Sequence, residues 1–364
     1  MSYDFLVKKT ALSETRLESV DIPTVGAGEI LLQIDRFALT SNNITYGVAG
    51  DLIGYWQFFP AQEGWGRIPV WGIGTVTNSA ATGISAGSRY YGYFPMSGHL
   101  LMSPGKITDQ GFVDHSEHRQ NLPPVYNHYA LMNEALGFPV RHDDYQMIYR
   151  PLFATSFVLD DFFDDHDFFG AEQIILSSAS SKTAFGTAFM LQDRVQKVIG
   201  LTSKKNKAFV EGLHLYDQVL SYDEVPSLNA SKATAYIDMS GNRSVLADVH
   251  HHYQDNLVNS CSVGITHWDA RQGEDTKSLP GAKPTLFFAP SQMQKRHKEW
   301  GPELFQQKLG KAWQSFLTVV DDWVTIVQSS TPDQIDAVFK TVLNGPDPDK
   351  AYVLRRTPDS DDER

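Results

Sequence analysis

Apolar and polar residues follow two different rhythms along this chain. In the first third, short runs such as Glu29-Ile30-Leu31-Leu32-Gln33-Ile34-Asp35-Arg36-Phe37 and Val70-Trp71-Gly72-Ile73-Gly74-Thr75-Val76 are separated by the turn formers Gly26-Ala27-Gly28 and Ser85-Ala86-Gly87-Ser88. Such spacing predicts strands and a compact, barrel-like β-rich domain. From Gly105 to His142 the pattern weakens, and the polar run Asp114–His118 and Pro123-Pro124 predict an insertion or a long functional loop. After Arg150-Pro151 short apolar runs alternate with helix-forming stretches. They recur at Gln173–Leu176, Lys197–Leu201, Gln218–Leu220, Ala233–Asp238, Leu257–Ser260 and Thr285–Phe288. Six buried strands joined by crossover helices imply an α/β region with a doubly wound parallel sheet, whose ligands bind at the carboxyl ends of the strands.

Composition narrows the function classes. The 364 residues leave room for two domains, each with its own core. A net charge of -12 opposes nucleic acid as a partner, although a local basic pocket for a small anion is still allowed. The single cysteine, Cys261, excludes an internal disulfide and a thiolate cluster for zinc, so no metal is expected. No apolar run reaches the length of a membrane span, and the first residues lack a signal-like apolar stretch, which makes a cytoplasmic location and no membrane partner the expectation.

The candidate chemistry begins after the first strand of the sheet. Ser178, Ala179, Ser180 and Ser181 are small enough for a phosphate to approach the backbone, their hydroxyls can donate, and Lys182 and Thr183 open the next helix. The usual G-x-G-x-x-G glycines are missing, and an ordinary serine-capped helix has the same appearance. A nucleotide triphosphatase loop, with Asp238 as the magnesium-side carboxylate, is a remote alternative because Leu176 and Ser181 stand where it needs glycines. At the end of the second strand, Ser203, Lys204, Lys205 and Lys207 replace the carboxylate that favours NAD, so NADP(H) is the expected cofactor.

Together these segments resemble the medium-chain dehydrogenase/reductase superfamily, in its zinc-free quinone oxidoreductase and enoyl reductase branches. The resemblance rests on Gly28–Ile34, Pro69–Val76, Gly83–Gly92, Gly200–Lys207 and Tyr236–Gly241. More narrowly, Ser178–Ala184 with Phe287–Gln292, Lys295-Arg296 and Trp300-Gly301-Pro302 is similar to a family of uncharacterised function within it. The resemblance implies a GroES-like catalytic domain over 1–145, a Rossmann NADP(H) domain over 146–300, and a return to the catalytic domain over 301–364. It implies a catalytic Tyr46 beside the nicotinamide, with Asn42 or Asn43 orienting substrate. Thr155, Ser203, Lys207 and Tyr222 match cofactor contacts, and Gly264 and Phe288 complete the expected set. The zinc branches carry a Gly-His-Glu triplet where this chain has Trp71-Gly72-Ile73, and Cys261 is far from their catalytic cysteine.

Other clusters say less. His250-His251-His252 point in different directions on a helix, and His115 with His118 suit a surface loop or an active-site loop. The aromatics Tyr55-Trp56-Gln57-Phe58-Phe59, with Trp65, read equally as barrel core or as the wall of a planar-substrate pocket. The expected activity is zinc-independent hydride transfer from NADPH to an activated C=C or C=O bond of a hydrophobic or planar small molecule, such as an enone, quinone or enoyl derivative. The alternative is a catalytically weak NADP(H)-binding sensor or structural protein. A homodimer is open, since dimers are common among proteins of this kind.

Overall fold

The computed structural model describes residues 1–263 and 279–357, which divide into two compact units. The first comprises Met1–Ile148 and the chain from Thr325 onward; the second comprises Tyr149–Val324.

The first unit is β-rich. Its strands are β1 (Ser2–Lys8), β2 (Ala11–Val20), β3 (Ile30–Leu39), β4 (Trp65–Gly66), β5 (Pro69–Ser79), β6 (Arg89–Pro95), β7 (His99–Met102), β8 (Pro104–Thr108), β9 (Gly111–Asp114) and β10 (His128–Leu131). In the second unit follow β11 (Gln173–Leu176), β12 (Lys197–Thr202), β13 (Gln218–Ser221), β14 (Thr234–Asp238), β15 (Leu257–Val263) and β16 (Pro284–Phe287). The chain then re-enters the first unit with β17 (Thr325–Thr331) and β18 (Lys350–Arg356).

The main sheet of the first unit runs β17-β18-β3-β5-β6-β10-β9-β8, with β7 also paired to β3. Alternating side chains of β3, β5 and β6 fill the core around Phe5, Leu32, Ile34, Phe37, Phe94, Tyr129 and Phe339. Gly72 lets β5 lie close to β3, because a Cβ there would stand 2.8 Å from the Arg36 carbonyl oxygen. The weakly patterned stretch after Gly105 forms β8, β9, short 3-10 turns and β10, so it extends the sheet instead of looping away from it.

The second unit is the doubly wound sheet that the alternating pattern predicts. Its described strands run in the order β13-β12-β11-β14-β15-β16, all pairs parallel. β11 and β14 are buried along their whole length, as strands covered on both faces must be. This 3-2-1-4-5-6 order places the switch of winding direction between β11 and β14.

The unit boundaries differ from the expected 145/146 and 300/301. The first falls inside the helix Asp143–Asp164, three residues later. The second falls at 324/325, because the helix Pro302–Leu317 belongs to the second unit. Its apolar face meets the Asp143–Asp164 helix there: Phe316 lies 4.7 Å from Phe153, Trp313 5.5 Å from Phe153 and Phe305 5.9 Å from Phe157, centroid to centroid. Burial of three large aromatics outweighs the tendency of the chain to return early.

Candidate functional site

At the end of β11, Ser177 is fully buried and Ser178 takes a left-handed φ of 51°. A glycine usually fills such a position, and a serine there costs about 1 kcal/mol or more. The turn is secured on both sides. Ala179 N–H donates to the Leu201 carbonyl (3.0 Å), the Ala179 carbonyl accepts from Tyr216 Oη (2.9 Å), and Ser178 N–H donates to Tyr222 Oη (3.2 Å). Ser181 then caps the helix Lys182–Leu191, its Oγ accepting from Ala184 N–H at 3.3 Å. The start of this helix, at Lys182 and Thr183, lies at the positive end of the helix dipole. Small residues, a left-handed corner and a helix start thus stand together at the carboxyl end of β11.

The helix packs closely behind the turn. Ser156 Oγ donates to the Thr183 carbonyl at 2.9 Å, and a Cβ on Gly186 would come within 2.8 Å of that same hydroxyl. Gly186, together with the buried Ala184, therefore supplies the close packing normally served by the last glycine of the motif. The turn leaves little for triphosphatase chemistry. Asp238 Oδ1 accepts from Ser177 Oγ (2.9 Å), Ser240 N–H (3.0 Å), Ser240 Oγ (2.9 Å) and Gly241 N–H (3.1 Å), so this oxygen is committed to shaping the β14 end.

Ser203 and the lysines after β12 stand beside the turn through Asn206, whose Nδ2 donates to Ser180 Oγ at 3.1 Å. Sequence reading passed over Asn206, and nothing local marks it. The absence of acid near these lysines holds only along the chain. In space Lys204 pairs with Asp223 (2.8 Å) and Lys207 with Glu224 (2.7 Å). Glu224 also accepts from Ser221 N–H and Oγ, each at 2.8 Å, and the lysine with these two donors lowers its carboxyl from 4.5 to about 2.

Of the other expected cofactor residues, Thr155 lies in the middle of the Asp143–Asp164 helix, its hydroxyl donating back to the Pro151 carbonyl at 3.4 Å, next to the Ser156 that holds the Thr183 carbonyl. Phe288 follows the edge strand β16, three strands from β11, and its ring is half exposed. Gly264 lies outside the described residues.

The first unit holds the other candidate region. Tyr46, on the helix Ser41–Val48, is buried in a cage with Tyr55, Phe58, Phe59, Tyr93 and Leu122, against which Trp71 and Tyr126 pack. Tyr46 lies 4.5 Å from Tyr55 and 5.7 Å from Tyr93 between ring centroids, and Tyr93 lies 4.6 Å from Tyr126. Asn42 Nδ2 donates to Tyr46 Oη at 2.7 Å, one turn back on the same helix, which leaves the phenolic hydrogen to point elsewhere. Burial first, then Tyr126, pushes the Tyr46 hydroxyl far above its ordinary value, against the opposing pull of Trp71, Asn42 and Tyr93 facing it. Such a phenol is a poor acid and a persistent hydrogen-bond donor.

Asn43 is spent otherwise. Its Oδ1 accepts from Thr40 N–H (2.7 Å) and Oγ1 (3.0 Å), and its Nδ2 donates to the Pro69 carbonyl (3.0 Å). It caps the helix and ties it to β5, whereas Asn42 is the asparagine that faces Tyr46. Trp71, at the place of the zinc branches' triplet, stacks on Tyr91 at 5.4 Å. Two buried polar atoms of the cage, Trp71 Nε1 and Tyr93 Oη, have no hydrogen-bond partner among the described residues.

The stretch after Gly105 closes this cage. Arg119 is fully buried and donates to Asp114 Oδ2 (3.0 Å), Asn127 Oδ1 (3.0 Å), Tyr129 Oη (2.9 Å) and the Tyr126 carbonyl (2.6 Å). Its guanidinium also stands 5.4 Å from the Phe58 ring and 5.2 Å from that of Phe59. His118 reaches the Phe58 carbonyl at 3.2 Å. An arginine in a polar loop offers no sequence sign that it will be buried, so Arg119 and Tyr126 were not foreseen. Among the described residues no group of three or more His, Cys, Asp or Glu side chains could hold a metal ion, and no helix is long and apolar enough to cross a membrane.

The fold is that of the medium-chain dehydrogenases/reductases, with a β-rich GroES-like unit and a Rossmann unit. The chain belongs to the family described as protein of unknown function DUF2855, whose pattern matches residues 37–346. It is similar in structure to CurA from Vibrio vulnificus in complex with NADPH, at 12% identity, covering 98% of this chain and 100% of that one with a TM-score of 0.62. It is also similar to the quinone oxidoreductase from Coxiella burnetii (12%, covering 97% and 99%, TM-score 0.56). A third likeness is to the yhdH oxidoreductase from Salmonella enterica in complex with NADP (12%, 98% and 99%, TM-score 0.55). No curated protein matches the sequence.

Proposed function

We propose that this protein is an NADP(H)-dependent, zinc-independent reductase that acts on a small, planar or hydrophobic molecule with a polarised C=O or C=C–C=O group. The observation that carries the reading is the set of donors in the aromatic cage. Trp71 Nε1 and Tyr93 Oη are buried without a well-formed hydrogen bond among the described residues, and both face Tyr46 Oη, which already accepts from Asn42 with its own hydrogen still to give. Three donors thus crowd one phenolic oxygen, and a donor left unmet costs about 1–3 kcal/mol. A carbonyl oxygen that gains negative charge during reduction is the acceptor such a cage fits.

The residues around the Ser178–Thr183 turn fit a dinucleotide. The helix start at Lys182 and Thr183 would take the pyrophosphate, Tyr222 would flank it, and the lysines after β12 would take a 2′-phosphate. When bound, NADPH supplies the hydride. Asn42 fixes the Tyr46 hydroxyl, and Tyr46 donates a hydrogen bond to the substrate oxygen; with its acidity depressed by burial, it polarises the bond more than it delivers a proton. The ring faces of Tyr55, Phe58 and Tyr126 exclude water and favour a flat substrate.

The test is calorimetry with NADPH and NADH, followed by NADPH oxidation over a panel of enones, quinones and enoyl thioesters. Tyr46→Phe is expected to bind NADPH as the wild type does and to lose about 10²–10³ in turnover, the usual loss for one oxyanion donor. A wild-type chain that takes up neither dinucleotide overturns the reading. A chain that binds NADPH and is inert over the whole panel is the sensor instead.

A further inference from the structure

The first unit has an open cavity of about 400 Å³ lined by Asp35, Arg36, Thr75, Arg89, Val140, Arg355 and Arg356. The strands bring these groups together against their own repulsion. Arg36 on β3 is directly opposite Arg355 on β18, and Thr75 on β5 is opposite Arg89 on β6. Like charges placed opposite one another weaken a sheet. The register of β3 against β5 slips between Ile34 and Arg36, so Asp35 is the extra residue of a bulge and turns into the same cavity as Arg36.

Carboxylates answer only part of this charge. Asp144 receives Arg355 at 2.6 Å and Arg36 at 3.5 Å; Asp143 pairs with Arg89 and stands 3.7 Å from Arg36. The guanidinium of Arg36 is therefore stretched between two acids and docked squarely on neither. Asp35 accepts from Thr75 Oγ1 at 2.7 Å, and burial works against its charged form even with Arg89, Arg36 and Arg356 around it. Four arginines and one aspartate line the cavity itself. The Nε–H groups of Arg36 and Arg355, and Asp143 Oδ1 among the acids, are buried with no hydrogen-bond partner among the described residues. An ion network that served only the fold would seat its forks on carboxylates; here Arg36 meets its two acids at 3.5 and 3.7 Å beside an open cavity.

We propose that this cavity binds a small doubly charged oxyanion, held between the guanidinium forks of Arg36, Arg89, Arg355 and Arg356. Paired oxygens of a phosphoryl group or of a dicarboxylate both match that fork geometry. The site shares no residue with the Ser178–Thr183 turn and does not depend on the reductase reading.

Inorganic phosphate and succinate, each titrated calorimetrically against a chloride control of equal ionic strength, separate the two sources. At least one is expected to bind one site per chain. Phosphate uptake alone assigns a phosphoryl ligand, and succinate uptake alone a dicarboxylate. Binding is expected to survive Lys182→Ala, which alters only the turn, and to weaken about tenfold or more in Arg356→Gln and Arg36→Gln, as the loss of a charge-assisted bond requires. Arg356→Gln keeps the test intact if Arg36→Gln unfolds, and circular dichroism checks both. The proposal is overturned if neither anion binds beyond chloride, or if binding disappears in Lys182→Ala and persists in the arginine variants.

Discussion

The turn after β11 and the cage around Tyr46 solve opposite problems. The turn is built from small polar residues, part-exposed, with nearly every group engaged: Ser178 with Tyr222, Ser180 with Asn206, Ser181 with its own helix. The cage is aromatic and buried, and its polar atoms are left partly unmet. A site that binds a charged, hydrated phosphate gains from preformed donors that water can reach while it waits. A site that must act on a developing charge gains from donors kept dry, where each is worth more and costs the free protein more.

That contrast can be broken most sharply at Arg119, the residue that holds the cage wall. Arg119→Met leaves Asp114 buried without its partner, and urea denaturation should show a loss of about 3–5 kcal/mol. A loss below about 1 kcal/mol would mean that the network is incidental to the wall. Tyr93→Phe should act the other way. Removing a buried, unpartnered hydroxyl is expected to stabilise the free protein by about 1–3 kcal/mol while slowing turnover, read by thermal melts beside the reductase assay. Loss of both stability and turnover would show that the hydroxyl is already satisfied.

The turn should respond more gently. Glu224→Gln frees Lys207 and is expected to tighten NADPH about two- to fivefold with little change for NADH, as befits an exposed pair. The Glu224 carboxylate contributes above its ordinary value near 4.5 and is lost only as the pH falls toward about 2. Glu224 should therefore add no pH dependence from about pH 5 to 8, and the NADPH preference there should follow only the second ionisation of the 2′-phosphate at about pH 6, checked by titrations of wild type and Glu224→Gln across that range. Smallest of all, Ser178→Gly relieves the left-handed serine but adds chain entropy to the unfolded state, so a net gain of about 0.5 kcal/mol is expected. A destabilised Ser178→Gly chain would show that the serine hydroxyl holds the corner.

Much was legible in the sequence where a property is local and periodic. The alternating short apolar runs after Arg150 appear as β11 to β16 in the expected parallel sheet, because a strand buried on both faces must be continuously apolar. The small residues and the helix cap of Ser178–Ser181 were likewise visible, since a tight turn and a helix start depend on a few neighbouring residues. Lys204 and Lys207 could be placed at the end of β12. Tertiary structure alone decided what faces them. Asp223 and Glu224 reach the lysines from the end of a different strand, Asn43 is consumed by Thr40 and Pro69, and Tyr93 and Tyr126 converge on Tyr46 from separate segments, with Arg119 holding the Tyr126 carbonyl. The helix Pro302–Leu317 stays with the Rossmann unit for the same kind of reason, three aromatics finding partners some 150 residues away in the chain. Periodicity records which face of an element is buried; only packing determines which residues from distant strands meet there, and the chemistry of both regions lies in those meetings.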